Sequence, residues 1–518
     1  MNQRKSEYRL GPGAVADALF CLAPDRDERA PQLCAETLLT LVQNRYSVST
    51  SAHDLRSPKR QRFAIRSLAL GENFLGGREQ GRVGDAETTP EAYGALLAMG
   101  GTIRGSANLG LAQQALQGLV DPETQRGQAG AWLLRPFHEA LLWYDARKPS
   151  PRRNEYTVRK VYMRGSGITL ARLLCAPGNE EDAQLGHLAV GAIKQALTLQ
   201  SPLAEIASTL ESALPRNELW TDRAIDVEDD EAAAWERGAD ERLSGLGSSL
   251  CRHAEGVMLQ GSASGPAKLW QLRSVLALDL ALHVLRTAWD ATGTASDDQF
   301  LLLSFGSQPR AMDPVRQRSE DSYRRARIRM SEAVVSTLAD RMQHLREVER
   351  VVSFSGDFRD PVLADSAPES VSSQLGRLAP GTSRSEYVRL ARLAVETANY
   401  SRSAEDGFRV LLESVGMLVG TGAYRYLSAG PDLLAAFVGA LSERMPMSSR
   451  EFIATVKEEW NIVISQETAA GTSLASQLDG AWLAQNARSA ERLMSEAGLA
   501  VGLSDRTTMV GERAARTH

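Results

Sequence analysis

The spacing of apolar positions is helical over most of the chain. In 31–45, Leu33, Leu38, Leu41 and Val42 predict a short amphipathic helix. Residues 61–75 read as a strand, followed by a glycine-rich loop over Gly71–Gly84. Trp132–Tyr144 reads as a helix with Pro136 near its first turn, where a missing N–H is tolerated. The run Lys148-Pro-Ser-Pro-Arg-Arg breaks the pattern, and Tyr156–Met163 alternates as a strand does.

Residues 183–213 predict one or two helices, the acidic stretch Asp226–Glu241 a solvated helix or linker, and Gly256–Gly265 a break. Lys268–Ala291 is apolar on most faces, which predicts a helix central to a core. A second long helix is expected from about Glu320 to Arg350, with Val335, Leu338, Met342 and Leu345 as its packed stripe.

Residues 355–383, rich in Ser, Pro and Asp, read as a linker or long surface loop. Beyond them Ser385–Ser414 is helical, and Pro431 opens a helix to Leu441. Ser448 and Glu451 form a capping box for a helix ending near Trp460. Asn461–Ser465 is a short apolar strand, and Trp482–Ala497 a last amphipathic helix closed by Gly498. The expected class is mainly α with minor β, in several domains. These are an N-terminal α+β domain over 1–150, a mainly helical one over 151–354, the linker, and a compact helical one over 384–518.

Composition narrows the picture mainly by exclusion. The 518 residues carry 59 basic and 64 acidic side chains, net −5, so no global positive field recruits nucleic acid or an anionic membrane. Only 7 of the basic residues are Lys, a ratio typical of GC-rich bacterial genomes. Met1–Leu10 is polar and has no apolar core of the kind a signal peptide needs. The most apolar window, Val275–Leu285, contains Asp279 and His283 and is flanked by Arg273 and Arg286, so no membrane span is expected. Cys21, Cys34, Cys175 and Cys251 are scattered and read as reduced thiols. The expected location is cytoplasmic.

Motifs of known chemistry are largely missing. Gly261–Lys268 fails as a phosphate loop because Pro266 and Ala267 separate glycine from lysine. No lysine has an acidic residue two positions before it, which removes the restriction-nuclease pattern. Cys251-Arg-His253 lacks a second ligand pair, and His138-Glu139 lacks the second histidine of a metalloprotease helix. No Gly-x-Ser-x-Gly occurs, and Gly165-Ser-Gly167 fails the dinucleotide fingerprint. No catalytic residue, metal ligand or cofactor is expected. An enzyme of unfamiliar pattern would instead gather His138, His253 or His283 with carboxylates in a pocket.

Charge is what remains. Arg56, Lys59, Arg60, Arg62 and Arg66 form one cluster; Arg147, Lys148, Arg152, Arg153, Arg159, Lys160 and Arg164 form another around Tyr156 and Tyr162. Arg316, Arg318, Arg324, Arg325, Arg327 and Arg329 load the start of the long helix. On one face these would contact phosphate, with Arg60, Arg62, Arg152, Arg153, Arg159, Lys160, Arg324, Arg325, Arg327 and Arg329 as candidate nucleic-acid or partner contacts. The alternative is solvated helix faces with local ion pairs. The C-terminal helix–strand–helix order is also compatible with a winged helix, but Glu491 and Glu496 dilute Arg488 and Arg492 on the last helix, which suits protein docking better.

Pro431-Asp-Leu-Leu, Pro446-Met-Ser-Ser-Arg-Glu-Phe, Trp460-Asn-Ile-Val-Ile, Glu496-Ala-Gly-Leu, Leu503-Ser-Asp505 and Met509-Val510 lie within a stretch of about 80 residues. That stretch resembles the tail of accessory proteins encoded beside ATPases in bacterial anti-phage gene clusters, nearest the methylation-associated defence system. The resemblance carries no functional residue. It implies a subunit that works with an ATPase, a methyltransferase or a specificity protein on foreign DNA. The expected function is therefore a non-catalytic interaction subunit of a bacterial multiprotein system, in anti-phage defence. A nucleic-acid-binding subunit using the Arg clusters, and an enzyme with an unrecognised site, are the alternatives.

Overall fold

The computed structural model describes residues 12–26, 28–43, 56–57, 61–62, 144–147, 157–159, 165–198, 225–226, 229–261, 263–347, 371–379, 381–397, 404–441, 446–503 and 507–511. The readings at 71–84, 132–143 and 355–370 lie outside them. Of the described residues 73% are helical and 5% lie in strands, which makes the protein mainly α with minor β. No described helix is long and apolar enough to cross a membrane. The chain divides into two compact units, Arg29–Leu276 and Met1–Glu28 with Ala277–His518.

After α1 (Pro12–Phe20), which belongs to the second of these, comes the unit Arg29–Leu276. It begins with α2 (Ala30–Gln43), matching the amphipathic spacing around Leu33 and Leu38, both fully buried. Short strands follow: β1 (Arg56–Ser57), β2 (Gln61–Arg62), β3 (Tyr144–Arg147) and β4 (Thr157–Arg159). Helices α3 (Ser166–Cys175) and α4 (Glu180–Thr198) precede β5 (Ile225–Asp226), α5 (Asp229–Arg237) and α6 (Ser244–Leu259). β2, β3 and β4 form one sheet, with β2 parallel and β4 antiparallel to β3, while β1 pairs antiparallel with β5. α3 is buried along its whole length and packs against α2, α4, α5 and α6. The break expected from Gly256 narrows to the residues between α6 and α7 (Gly265–Ala291), because an isolated glycine only weakens a helix whose neighbours Val257 and Met258 are buried.

The amino end of α3 shows why Gly165-Ser-Gly167 is there. Gly165 has φ +92°, open to glycine at no steric cost. The buried Glu36 of α2 accepts the Gly165 N–H at 3.0 Å on one oxygen and the Gly167 N–H at 2.8 Å on the other. A Cβ on Gly167 would lie 2.6 Å from the Glu36 Cβ and 2.7 Å from the Leu33 carbonyl oxygen. The two glycines let a carboxylate from another helix close this amino end.

In the other unit, the Ala277–Ala291 part of α7 is buried as its composition predicts, with Leu278, Leu280, Val284 and Leu285 inaccessible. β6 (Leu301–Leu302) leads to α8 (Pro314–Glu347), which starts six residues before the sequence suggests. Its first turns are polar apart from Val315, so periodicity misses them; the true signals are Asp313, whose Oδ1 accepts the Arg316 N–H at 3.0 Å, and Pro314 in the first helical position. Then come α9 (Val371–Arg377), a helix inside the stretch read as linker, α10 (Arg384–Thr397) and α11 (Ala404–Ser414). The hairpin β7 (Leu418–Val419) and β8 (Tyr426–Leu427) precedes α12 (Pro431–Leu441), β9 (Met447–Ser448), α13 (Ser449–Trp460) and β10 (Ile462–Val463). Two single-turn helices, α14 (Gln466–Ala469) and α15 (Leu474–Gln477), lead to α16 (Gly480–Glu496), β11 (Ala500–Gly502) and β12 (Thr508–Val510).

The capping box of α13 forms as expected, and Gly498 at φ +71° closes α16, followed by a Leu499 N–H bond to the Met494 carbonyl at 2.8 Å. Trp460 packs on Phe437 of α12, with ring centroids 4.7 Å apart, and donates its indole N–H to the buried Asp279 of α7 at 2.8 Å. α12 contacts α13 and α16, and Ser449 at the start of α13 donates to Glu491 of α16. The hairpin β11–β12 joins β9 in a three-stranded antiparallel sheet of order β11-β12-β9. In the helix–strand–helix order read as compatible with a winged helix, the strand β10 runs parallel to β6 and is not part of the sheet that the hairpin forms with β9.

Candidate functional site

The arginines at the start of α8 do not share one face. At about 100° per residue, Arg318, Arg325 and Arg329 fall in one narrow stripe, Arg327 lies opposite it and Arg324 about 120° from it. Each also has a carboxylate. Arg324 reaches Asp321 at 3.0 Å, Arg325 reaches Asp298 at 3.2 Å, Arg327 reaches Glu405 at 3.8 Å and Arg329 reaches Glu332 at 2.9 Å. Arg325 also lies over the Phe300 ring, 5.1 Å from its centroid.

The other candidates fall in the unit Arg29–Leu276. Arg62 and Arg159 are brought into one sheet, where register places Asp145 opposite both; Arg56 is opposite Asp226. Arg60, Arg152, Arg153 and Lys160 lie outside the described residues. Basic and acidic positions are interleaved wherever the backbone register or the ion pairs can be read.

The face of α8 that carries Arg324 and Arg327 borders a cleft of about 530 Å³, closed by α10, the start of α11 and the loop between β7 and β8. Four arginines (Arg324, Arg327, Arg392, Arg425) and four glutamates (Glu320, Glu332, Glu396, Glu405) line it. Glu320 is buried, accepts from Arg310 Nε at 2.8 Å and lies 3.9 Å from Arg316. Those two arginines lie over Tyr424 and Tyr426, which anchors the hairpin to α8. Arg425 pairs with Glu413 at 3.0 Å. Arg392 and Glu396, one turn apart on α10, have no ionic partner among the described residues.

Tyr323 forms part of the floor. It is 5% exposed, stacks on Phe408 at 6.3 Å, and its hydroxyl has no hydrogen-bond partner among the described residues. Burial raises its pKa, with nearby Arg327 and Arg425 opposing. Burial also raises the Glu405 carboxyl, with Arg327 opposing and Asp406 adding to the rise. Ile328, 48% exposed, supplies an apolar rim. The arrangement suits a ligand that carries both signs of charge, since neither sign is in excess. Arg392, Glu396, Glu405 and Arg425 were missed by sequence reading; the Arg392–Glu396 spacing shows they share a helix face, but nothing local reveals that this face meets α8.

The residues held ready for an unfamiliar enzyme site have structural surroundings. His283 of α7 is buried, with Nε2 2.9 Å from the Phe20 carbonyl oxygen, a contact only an N–H can make. Burial holds its pKa below the ordinary 6.5, against the raising effect of that hydrogen bond. His253 is buried on α6, and His138 lies outside the described residues. All four cysteines are buried and outside any disulfide among the described residues, and burial pushes the thiols of Cys34, Cys175 and Cys251 up to about 12. Among the described residues no group of three or more His, Cys, Asp or Glu could hold a metal ion. No protein-family model, curated protein or solved structure matches the chain.

Proposed function

We propose that the chain is a non-catalytic interaction subunit of a bacterial multiprotein system in anti-phage defence, working with an ATPase or a DNA-modification partner. In this reading the cleft between α8, α10, α11 and the β7–β8 hairpin receives a mixed-charge segment of that partner. One observation carries the reading: the arginines of α8 are matched by carboxylates, and the cleft that Arg324 and Arg327 border is lined by four arginines and four glutamates with the exposed Ile328. A phosphate backbone presents one sign only, whereas a protein segment can match both.

The test is co-expression of the full chain with the ATPase and the methyltransferase of its gene cluster, followed by purification through a tag on this chain. We expect one of them to co-purify at low and at high salt, and to be lost from the double variant Ile328→Asp/Arg392→Glu. Ile328 is 48% exposed and Arg392 is exposed, so the variant should fold. Charge reversal at Arg324 and Arg325 should leave nucleic-acid retention unchanged. A partner-free chain, in a host whose phage sensitivity does not change when the gene is deleted, would overturn the proposal. Retention by the double variant would move the interface away from this cleft.

A further inference from the structure

Arg488 and Arg492 are not explained by the docking cleft. They lie one turn apart on α16 and border a second cleft, of about 390 Å³, between that helix and the loop leaving the carboxyl end of β6. Asn486 braces its walls. The side chain is 3% exposed, donates to the Leu303 and Ile464 carbonyls at 2.9 Å each, and accepts the Phe305 N–H at 2.7 Å. One amide therefore ties the ends of two parallel strands to α16, which holds the cleft open at a fixed width.

Two features of different chemistry face this space, and a third lies buried in its wall. The first is positive charge. Arg488 has no carboxylate partner among the described residues, and Arg492 has only Glu496 at 3.8 Å, with both of those side chains mostly in solvent. Glu491, which dilutes this stripe in sequence, is used elsewhere, accepting from Ser449 Oγ at 2.6 Å. The second is an aromatic wall. Trp482 lines the cleft and is backed by the buried cluster that contains Phe300, Val315 and Leu483, which limits its freedom to turn away. The third is an acceptor. Asp313 is 4% exposed, uses Oδ1 to cap α8, and has no hydrogen-bond partner for Oδ2 among the described residues. Gly306 lies against that oxygen, where a Cβ would come within 2.2 Å.

Separated positive charge, a supported indole and an unused carboxylate oxygen match the parts of one ligand. We propose that this cleft binds a nucleotide unit, with the base on Trp482, the phosphate at Arg488 and Arg492, and a sugar hydroxyl or exocyclic amine toward Asp313. The volume lies within the roughly 300–1,000 Å³ of small-ligand pockets. Stacking on an aromatic ring beside arginines tolerates any base and is strongly salt-dependent. The unit could come from a free nucleotide or from a single strand, and the test separates the two. The inference goes beyond the docking reading and does not rest on it.

The full chain is titrated by calorimetry with deoxyadenosine monophosphate, and by fluorescence anisotropy with a labelled short single-stranded DNA, each at low and high salt. Binding of at least one probe is expected, weakened by salt. The double variant Arg488→Glu/Arg492→Glu should lose about tenfold or more in affinity, the scale of one lost base or phosphate contact. Both arginines are exposed, so its circular dichroism and melting should match the parent. Trp482→Phe should bind more tightly than Trp482→Ala, while Arg324→Glu/Arg325→Glu should bind as the parent does. Strong binding of the strand alone assigns the site to single-stranded nucleic acid, and binding of the monophosphate assigns it to a free nucleotide. No binding of either probe at millimolar concentration overturns the inference, and so does parental affinity in the double arginine variant.

Discussion

The amino ends of α3 and α8 use the same resource differently. Both present backbone N–H groups and the positive end of a helix dipole. At α3 two of those groups are consumed internally by Glu36, which arrives from another helix, and Gly167 leaves no space for anything else. At α8 the cap is the neighbouring Asp313, which spends one oxygen on one N–H and leaves the other buried and without a hydrogen-bond partner among the described residues, in a residue that lines a cleft bordered by two arginines. A helix end saturated by the protein itself is an architectural joint. A helix end only partly satisfied, beside cations without strong partners, is a place where a ligand can be recognised. The glycine motif that draws the eye in sequence belongs to the joint, and the unremarkable Asp-Pro belongs to the open end.

The largest test of this contrast is Glu36→Ala. It strands two buried N–H groups, each costing about 1–3 kcal/mol, and removes packed side-chain atoms, so a loss of roughly 3–5 kcal/mol is expected in the unit Arg29–Leu276. Denaturant unfolding read together with hydrogen exchange on α3 measures it, since a two-unit chain need not unfold in one step. Glu36→Gln, which keeps one acceptor oxygen, should fall between parent and alanine. A loss below about 1 kcal/mol would mean that water replaces Glu36 and that this end is not closed.

Asp313→Ala should cost less, about 1 kcal/mol, because it removes the acceptor of one backbone N–H rather than two. The same change removes a negative charge beside Arg488 and Arg492. Affinity for an anion that carries no proton donor, such as sulfate, should therefore rise while stability falls. Equal costs for Glu36→Ala and Asp313→Ala would erase the distinction between the two ends.

Much of the skeleton was legible because its signals are local. Pro431, the Ser448–Glu451 box and Gly498 each fix a helix boundary within a few residues of itself, and α7 announces its burial by being apolar on most sides. What was not legible depends on separation along the chain. Glu36 meets Gly165 across 129 positions, and Asn486 meets Phe305 across 181. Neither pairing leaves a trace in spacing or composition. The arginine clusters were visible as charge, yet their partners Asp298 and Glu405 come from other elements, so sequence could not say which cations are neutralised. Arg488 looked diluted by Glu491, and only the Ser449 contact shows that Glu491 is engaged elsewhere.

A third helix start gives the smallest and most pH-specific effect. At α13 the cap is made in solvent: Ser448 Oγ accepts the Glu451 N–H at 3.2 Å, and the Glu451 carboxylate accepts the Ser448 N–H at 2.9 Å. The backbone N–H and the hydroxyl of Ser448 together hold the Glu451 pKa below its ordinary 4.5. A carboxyl whose folded pKa is depressed binds fewer protons folded than unfolded. Its contribution is therefore complete above the unfolded value and disappears as pH falls from about 4.5 through the folded value. Ser448→Ala should cost about 0.5–1 kcal/mol at neutral pH. Thermal melting of parent and Glu451→Gln between neutral pH and the acid range should converge as pH falls through that window, because the parent loses there what the variant lacks throughout. A gap that persists unchanged below the window would show that Glu451 acts through packing rather than charge, and that this helix end resembles α3 more than α8.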